Sequence, residues 1–577
     1  MKGFHNVVLH IDLTRRSFEE EPIDDSVYRQ LLGGKGLGTH LLLNNTQAGV
    51  DPLSADNVII FATGPVTDTK VYGSCRFGAF TKSPLTGIYC ESYAGGKAAE
   101  PLSRTGYDAI IIKGASEKPV YLEISHKKVI FRDASHLWGK DTFETEDAIR
   151  EEVGRKDAGI IVIGPAGENL VKFAVIETEY WRSLARTGPG AVLGAKKVKG
   201  IAFYGDIRRQ VAKPDAINKI WDELKAIGRD DPVAKKYYAE GTLQMIPGVN
   251  KVGAFPTKYW SLGTYDKWQN LTIDALKAKS NVRARACPKC YLACGNFSQV
   301  TEGRHQGLKI VGPEFETTYA IGGLCMIDDI TEVAYLNDIC DRLGIDTITF
   351  GNLAAFTIEA SHRKPIGIRL EYGDVDGIAA LLYKIARREG IGAILAEGII
   401  YAAREWGLED LAIHVKGLEP AGYEPRVLKA MGLAYAINDR GACHLRATAY
   451  KAELSGVIPP EQIEGKAEVV IDFEDRHTLF DSLVLCRFFR DIYPWEKISL
   501  LINASTGMEL DKKQLQKLAL DITNKAREFN LREGMTKEAD TLPRRFFEEK
   551  LEDSGKVLPK SEFDKMLSDY YKLKGWD

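Results

Sequence analysis

Three cysteines within eight residues, Cys287, Cys290 and Cys294 in ACPKCYLACGNF, constrain this 577-residue chain more than any other feature. A C-x2-C-x3-C array lets a turn or frayed helix aim three thiolates at one soft metal centre, with backbone amides softening the sulfur charge. A structural zinc knuckle would need a second Cys/His pair at short spacing, and the residues that follow offer only His305. A 4Fe-4S cluster needs one more cysteine, which can come from far along the chain. Buried structural thiols are the third reading, since a free cysteine is commonly a small core residue. In DSLVLCRF, Cys486 offers a distant fourth ligand.

Cys486 closes a segment that begins at Asp481, and DRLGID, from Asp341 to Asp346, has the same outline. Two matching loops suggest a bilobed ligand, each opening carboxylate accepting N–H groups from one edge of a heterocycle such as a pterin. Taken alone, either loop reads as an ordinary helix C-terminus. Arg76 in GSCRFGAF, and Arg182 and Arg186 in WRSLARTGPG, suit phosphate or planar groups through the guanidinium fork, although a single arginine is more often a surface or ion-paired residue. GGKGLGTH lacks the G-x-G-x-x-G spacing and a following βαβ unit with an acidic residue, so a dinucleotide site is rejected.

Residues 6 to about 205 run as short β-branched or alternating stretches broken by Gly, Pro, Asn and Asp, as in NVIIFATG and YDAIIIKG. After Lys213-Pro214 the apolar residues recur three and four apart, as in PDAINKIWDELKAIG. The expected fold class is α+β: a β-rich domain over residues 1–210, then two mainly helical domains over 211–416 and 417–577. No fixed-period repeat is visible. With 77 basic and 80 acidic residues, no bulk charge favours nucleic acid or an anionic membrane. Nine cysteines, an odd number partly crowded together, suit a reducing cytoplasm, and no signal peptide or spanning segment is expected.

With the cysteine array, paired loops and arginine segments together, the chain resembles the tungsten-containing aldehyde ferredoxin oxidoreductase family almost from end to end. The resemblance implies a β-rich base carrying one tungsten on two pyranopterins, beside one 4Fe-4S cluster, with magnesium bridging the pterin phosphates. It implies Cys287, Cys290, Cys294 and Cys486 as cluster ligands and Arg76 between pterin and cluster. Arg182, Ser183 and Arg186 match the phosphate and magnesium stretch, Ser183 through its carbonyl. The loops Asp341 to Asp346, with Ile345, and Asp481 to Cys486, with Leu485, match the pterin-binding pair. Glu316 in PEFETTYAIGG and His444 in NDRGACHLRA are similar to the family's active-site residues, Glu314 is a near neighbour of Glu316, and Tyr423 matches a substrate-orienting tyrosine.

The implied activity is oxidation of an aldehyde to a carboxylic acid, with electrons passed to ferredoxin or a similar one-electron carrier, by a cytoplasmic homo- or hetero-oligomer. A carboxylate at Glu316 would accept a proton while an imidazole at His444 polarises the aldehyde oxygen. Molybdenum accepts the same dithiolene ligands. The alternatives are a low-potential reductase subunit acting on an aryl-CoA thioester or carboxylic acid with the same cofactors, and a non-catalytic electron-transfer or assembly subunit. Val484 stands where the family commonly has Gly, so the second loop should avoid a positive φ or be slightly reshaped. Ser92 or Tyr93 stands at the family's magnesium-site asparagine, and no iron-bridging Glu/His pair between subunits is evident. Cys325 is read as a buried inert thiol, with approach to the tungsten as the alternative.

Overall fold

The computed structural model describes residues 1–576. The β-rich part holds two six-stranded sheets. The first comprises β1 (Val7–Asp12), β2 (Ser17–Pro22), β3 (Ile59–Ala62), β4 (Phe77–Lys82), β5 (Tyr89–Ala94) and β6 (Ala109–Lys113). The second comprises β7 (Val120–Ser125), β8 (Lys128–Asp133), β9 (Gly159–Val162), β10 (Ile176–Thr178), β11 (Arg182–Leu184) and β12 (Val198–Phe203). Their orders are β2-β1-β6-β3-β4-β5 and β11-β10-β9-β12-β7-β8. Reversed, the second order repeats the first with each strand advanced by six. β1 with β6 and β7 with β12 are the parallel pairs in the two sheets. The β-rich part is therefore a structural repeat, although the sequence shows no fixed period.

Strand alternation sorts the apolar side chains into layers. Phe61, Ile110 and Ile112 of the first sheet share one core with Leu122, Ile161 and Phe203 of the second. The intervening Ile60 and Ile111 face outward against Leu37, Leu41 and Phe529. Ile160 and Val162 pack with Ile149 of the helix Thr142–Val153 on the far side. The sheets thus lie face to face with helices outside, and helices from Pro214 onward form the rest of the chain. A third, three-stranded sheet stands among them: β13 (Ser280–Arg285), β14 (Gly295–Val300) and β15 (Lys309–Val311). The three clustered cysteines occupy or border the β13–β14 connection, so a hairpin loop carries them, not a frayed helix.

Each large sheet receives the C-terminal end of one helix. β3 runs into Thr63-Gly64-Pro65 and β9 into Ile163-Gly164-Pro165. A Cβ on Gly64 would lie 2.3 Å from the Leu483 carbonyl oxygen, and one on Gly164 2.4 Å from that of Leu343. These are the last residues of the helices Lys466–Leu483 and Ile330–Leu343, which lead into the two matching loops. Gly344 closes one helix at φ 75°, as a left-handed cap requires. Val484 closes the other at φ 56° and ψ 50°. The expectation of a turn that avoids positive φ is therefore corrected. A β-branched residue is strained there, but the turn is held by the Leu485 amide donating to the Phe480 carbonyl at 2.8 Å and by burial of Val484 to 1% exposure.

GGKGLG serves this contact. A Cβ on Gly34 would lie 2.1 Å from the Asp481 carbonyl oxygen, and Gly34 has φ +43°. Lys35 runs inward to Glu91 and Asp439 at 3.0 and 3.4 Å. Gly34→Ala is expected to destabilise the protein by several kcal/mol, through clash and left-handed strain together. Gly49→Ala, at φ +76° with nothing within 4 Å, is the control and carries the strain alone, about 1 kcal/mol. Thermal-inactivation midpoints of the two variants check this; equal shifts would contradict the close-packing account.

Candidate functional site

Three adjoining cavities lie where the two sheets, the two loops and the cysteine hairpin meet. The largest, about 310 Å³, is lined by Cys287, Cys290, Cys294 and Cys486 together with Glu316, His444 and Tyr423. A second, about 250 Å³, borders Asp481, Leu485, Arg76 and Arg186. A third, about 90 Å³, borders Asp341, Ile345 and Asp346. Ser183 lines all three, and Arg182 lines the first. The structure therefore brings the expected cluster, pterin, phosphate and catalytic residues to the walls of three cavities that share Ser183.

At the sulfur end, the Cys486 amide donates to the Gly73 carbonyl at 2.9 Å, which sets its thiol beside the hairpin. Arg76 spans this junction, with Nη1 3.9 Å from the Cys486 sulfur and Nη2 donating to the Tyr93 carbonyl at 2.7 Å. A Cβ on Gly95 would lie 3.2 Å from the Cys287 sulfur. Among the described residues, no three His, Cys, Asp or Glu side chains converge tightly enough for a single metal ion. The four thiols line one cavity. His305 is engaged elsewhere, pairing with Glu332 at 2.7 Å and stacking on Tyr335.

Cys75, not singled out from the sequence, lines the same cavity. A hydrogen bond from Cys75, against the opposing effect of burial, and then Arg182, Arg76 and the Gly96 amide bring the Cys287 thiol down to about 5. Burial pushes Cys290 up to about 12 and Cys294 well above its ordinary value. Before any metal binds, Cys287 is the ready thiolate and its neighbours must shed protons on ligation. Cys325 stands apart: it is fully buried, and its sulfur lies 3.5 Å from the Gly351 carbonyl oxygen. It does not line these cavities.

Beneath the loops the charges are unequal. Asp481 accepts from Arg446 at 2.6 Å and also from Arg487. Arg446 reaches Glu91 at 3.1 Å, and Arg440 bonds the Glu91 carbonyl and the Cys443 sulfur. Asp341 has only the Asn337 amide at 3.1 Å, and burial, then the charge of Asp338, holds it well above the usual carboxylate range. Asp346 caps the helix Thr347–Arg363 and faces Arg186 at 3.5 Å. Arg440, Arg446 and Arg487 were not singled out from the sequence, although each lies within a few residues of His444 or Cys486.

Glu316 and His444 are neighbours on the wall of the largest of these cavities, Oε1 to Nε2 at 3.5 Å. The Gly422 amide fixes Oε2 of Glu316 at 2.8 Å, while Oε1 and His444 Nδ1 are buried without a hydrogen-bond partner. Burial pushes Glu316 up to about 8, with Cys443 and Asp346 adding to it against the Gly422 amide and Arg186. Burial, then Arg186, Arg440 and Arg446, hold His444 well below its usual range, as neutral imidazole. Tyr423 stacks on Tyr450 with ring centroids 3.8 Å apart and stands 6.2 Å from the His444 ring. Glu314 is engaged with the Thr242 hydroxyl.

These orphaned polar atoms, the thiol-lined wall and the arginines under two capped loops fit an anionic, sulfur-rich, bilobed cofactor with an open reacting edge near Glu316. Residues 8–205 match the family model described as aldehyde ferredoxin oxidoreductase, N-terminal domain. Residues 219–577 match aldehyde ferredoxin oxidoreductase, domains 2 and 3. The chain is 35% identical to a tungsten-containing aldehyde ferredoxin oxidoreductase of Pyrococcus furiosus, over 100% of this chain and 97% of that protein. It is 34% identical to a protein of the same description from Thermococcus kodakarensis, at the same coverage. An aliphatic sulfonate oxidoreductase, WOR-like subunit, of Pyrococcus furiosus is 27% identical over 100% of this chain and 95% of its own length. The active-site complex BamBC of benzoyl coenzyme A reductase shares the fold, with a TM-score of 0.86 and 24% identity over 100% of this chain and 95% of that one. Among the described residues, no helix is long and apolar enough to cross a membrane.

The state of Glu316 is directly measurable. In metal-free protein, infrared difference spectra should show a protonated carboxyl that titrates near pH 8 and is missing in Glu316→Gln. Because the folded-state value lies above the ordinary 4.5, the stability this group gives is complete below about pH 4.5 and is lost as pH rises through 8. A Glu316 already ionised at pH 6 would contradict the burial argument.

Proposed function

The chain belongs to the aldehyde ferredoxin oxidoreductase family, and from that premise we propose that it oxidises an aldehyde to the carboxylic acid, giving up two electrons per turnover. The observation that carries this reading is the placing of Glu316 Oε1 and His444 Nδ1, both unpartnered, in the cavity that four cysteine thiols line. Cys287, Cys290, Cys294 and Cys486 would hold a 4Fe-4S cluster, and the loops Asp341 to Asp346 and Asp481 to Cys486 the two pterins. Arg182, Ser183 and Arg186 would face the pterin phosphates and their magnesium. When bound, the tungsten or molybdenum bis-pterin supplies the two-electron acceptor, and the cluster passes electrons singly to a ferredoxin-type carrier.

The protein's own part is proton handling and orientation. Conversion of RCHO and water to RCOOH releases two protons with the two electrons, so a base must stand at the reacting carbon. Glu316 suits it: one oxygen is pinned by the Gly422 amide and the other is free. Its value of about 8 makes it a stronger base than an exposed carboxylate and keeps it exchanging protons near neutral pH. Neutral His444 can direct an N–H at the aldehyde oxygen, where negative charge develops, without forming an ion pair with Glu316. The stacked rings of Tyr423 and Tyr450 make a fixed wall against which the aldehyde is oriented.

Protein purified without oxygen should contain tungsten or molybdenum as well as iron and should reduce viologen when given an aldehyde. Its kcat should rise as pH increases through about 8, as Glu316 becomes free to accept a proton. Glu316→Gln should lower kcat by about 100-fold or more, with a small change in KM. Full activity in that variant, or iron without tungsten or molybdenum, would overturn the reading.

A further inference from the structure

The cavity holding Glu316 and His444 contains an arginine that bonds neither a thiol nor a loop carboxylate. Arg490 is 6% exposed and lines that cavity. Its Nη1 donates to the Arg487 carbonyl at 3.0 Å, while Nε is buried without a partner. Among the described residues no carboxylate pairs with it.

The other arginines around this space are engaged. Arg186 faces Asp346, Arg446 joins Glu91 and Asp481, Arg487 bonds Asp481, and Arg440 bonds the Cys443 sulfur. Arg76 lies against Cys486, and Arg182 acts on Cys287 and Cys294. Arg490 acts instead on Tyr450 and Tyr237, then on Asp491, whose carboxylate is paired with Lys451, then on Tyr423, and also on His444. It is absent from the walls of the two cavities beneath the loops. The charges beneath the two loops therefore do not account for it. A buried guanidinium with one carbonyl partner is strongly disfavoured unless an anion completes its hydrogen bonds.

We propose that Arg490 anchors a carboxylate on the substrate, at the end remote from its aldehyde group, so that the preferred substrate is an aromatic formyl-carboxylic acid. The planar fork of the guanidinium matches a carboxylate through two parallel hydrogen bonds. Tyr237, Tyr423, Tyr450 and Phe488 line the space around it and suit a flat ring. The aldehyde then falls at Glu316 and His444. The inference rests on the aldehyde-oxidation reading and adds the chemistry of the substrate's far end.

The test compares 4-formylbenzoate with its methyl ester, of closely similar shape, in metal-loaded enzyme under anaerobic conditions. Wild type should favour the carboxylate in kcat/KM. In Arg490→Met that preference should fall by about 10- to 100-fold, the range for a lost charge-assisted hydrogen bond, and chiefly through KM. Arg490→Lys, which keeps the charge but not the fork, should fall between and guards against a Met variant that does not fold. No preference in wild type, or equal loss on both substrates in both variants, would overturn the inference. The second outcome would mean that Arg490 supports the fold or the shared product carboxylate. If wild type oxidises neither compound nor any other aldehyde, the underlying reading fails and this inference with it.

Discussion

The hydrogen bond from the Cys486 amide to the Gly73 carbonyl joins the far end of the chain to the β-rich part at the point where everything else meets. It fixes the thiol of Cys486 beside Arg76 and opposite the cysteine hairpin. The hairpin thiols have their own contacts with the β-rich part, Cys287 bonding Cys75 and the Gly96 amide. With Cys486 they line one cavity that Glu316 and His444 also line. The glycines at 34 and 64 matter for the same segment: each lets backbone approach Asp481 to Leu483 more closely than a side chain would allow.

The two large sheets share one strand order, and each receives one helix end against a Gly-Pro turn, so the loops are presented as a related pair. The symmetry stops at the electrostatics. The loop beginning at Asp481 lies among Arg446 and Arg487, whereas Asp341 has only an amide partner. The loop beginning at Asp481 also ends in Cys486, so the more cationic side lies next to the sulfur-rich end of the cavity. Positive charge there would favour an anionic cluster and offset repulsion between ionised thiols.

The cysteine array and the two loops were legible from spacing, whereas the roles of RSLAR, Glu316, His444 and Tyr423 came only from the family resemblance. The cysteine array, the two D-x-x-x-x-D/C loops and RSLAR all fall on the cavity walls. What escaped was of two kinds. Cys75 lies beside Arg76, Arg440 and Arg446 lie on either side of His444, and Arg487 and Arg490 follow Cys486, and the sequence gives no sign of which such neighbour turns inward. The sheet repeat escaped because strand alternation constrains only polarity, which many unrelated sequences satisfy. Val484 shows a third limit. Residue type predicted avoidance of the left-handed region, yet tertiary packing against Gly34 and the helix-end hydrogen bonds hold a valine there.

The central claim is that the thiol of Cys486 joins those of the hairpin around one iron-sulfur group. Iron and acid-labile sulfide assays, with electron paramagnetic resonance of the dithionite-reduced protein, test it most directly when wild type and Cys486→Ala are prepared together without oxygen. The account predicts about four iron and four sulfide per chain in wild type, with a reduced-cluster signal, and loss or marked change of both in the variant. One zinc per chain, or an unchanged iron content and signal in Cys486→Ala, would contradict it.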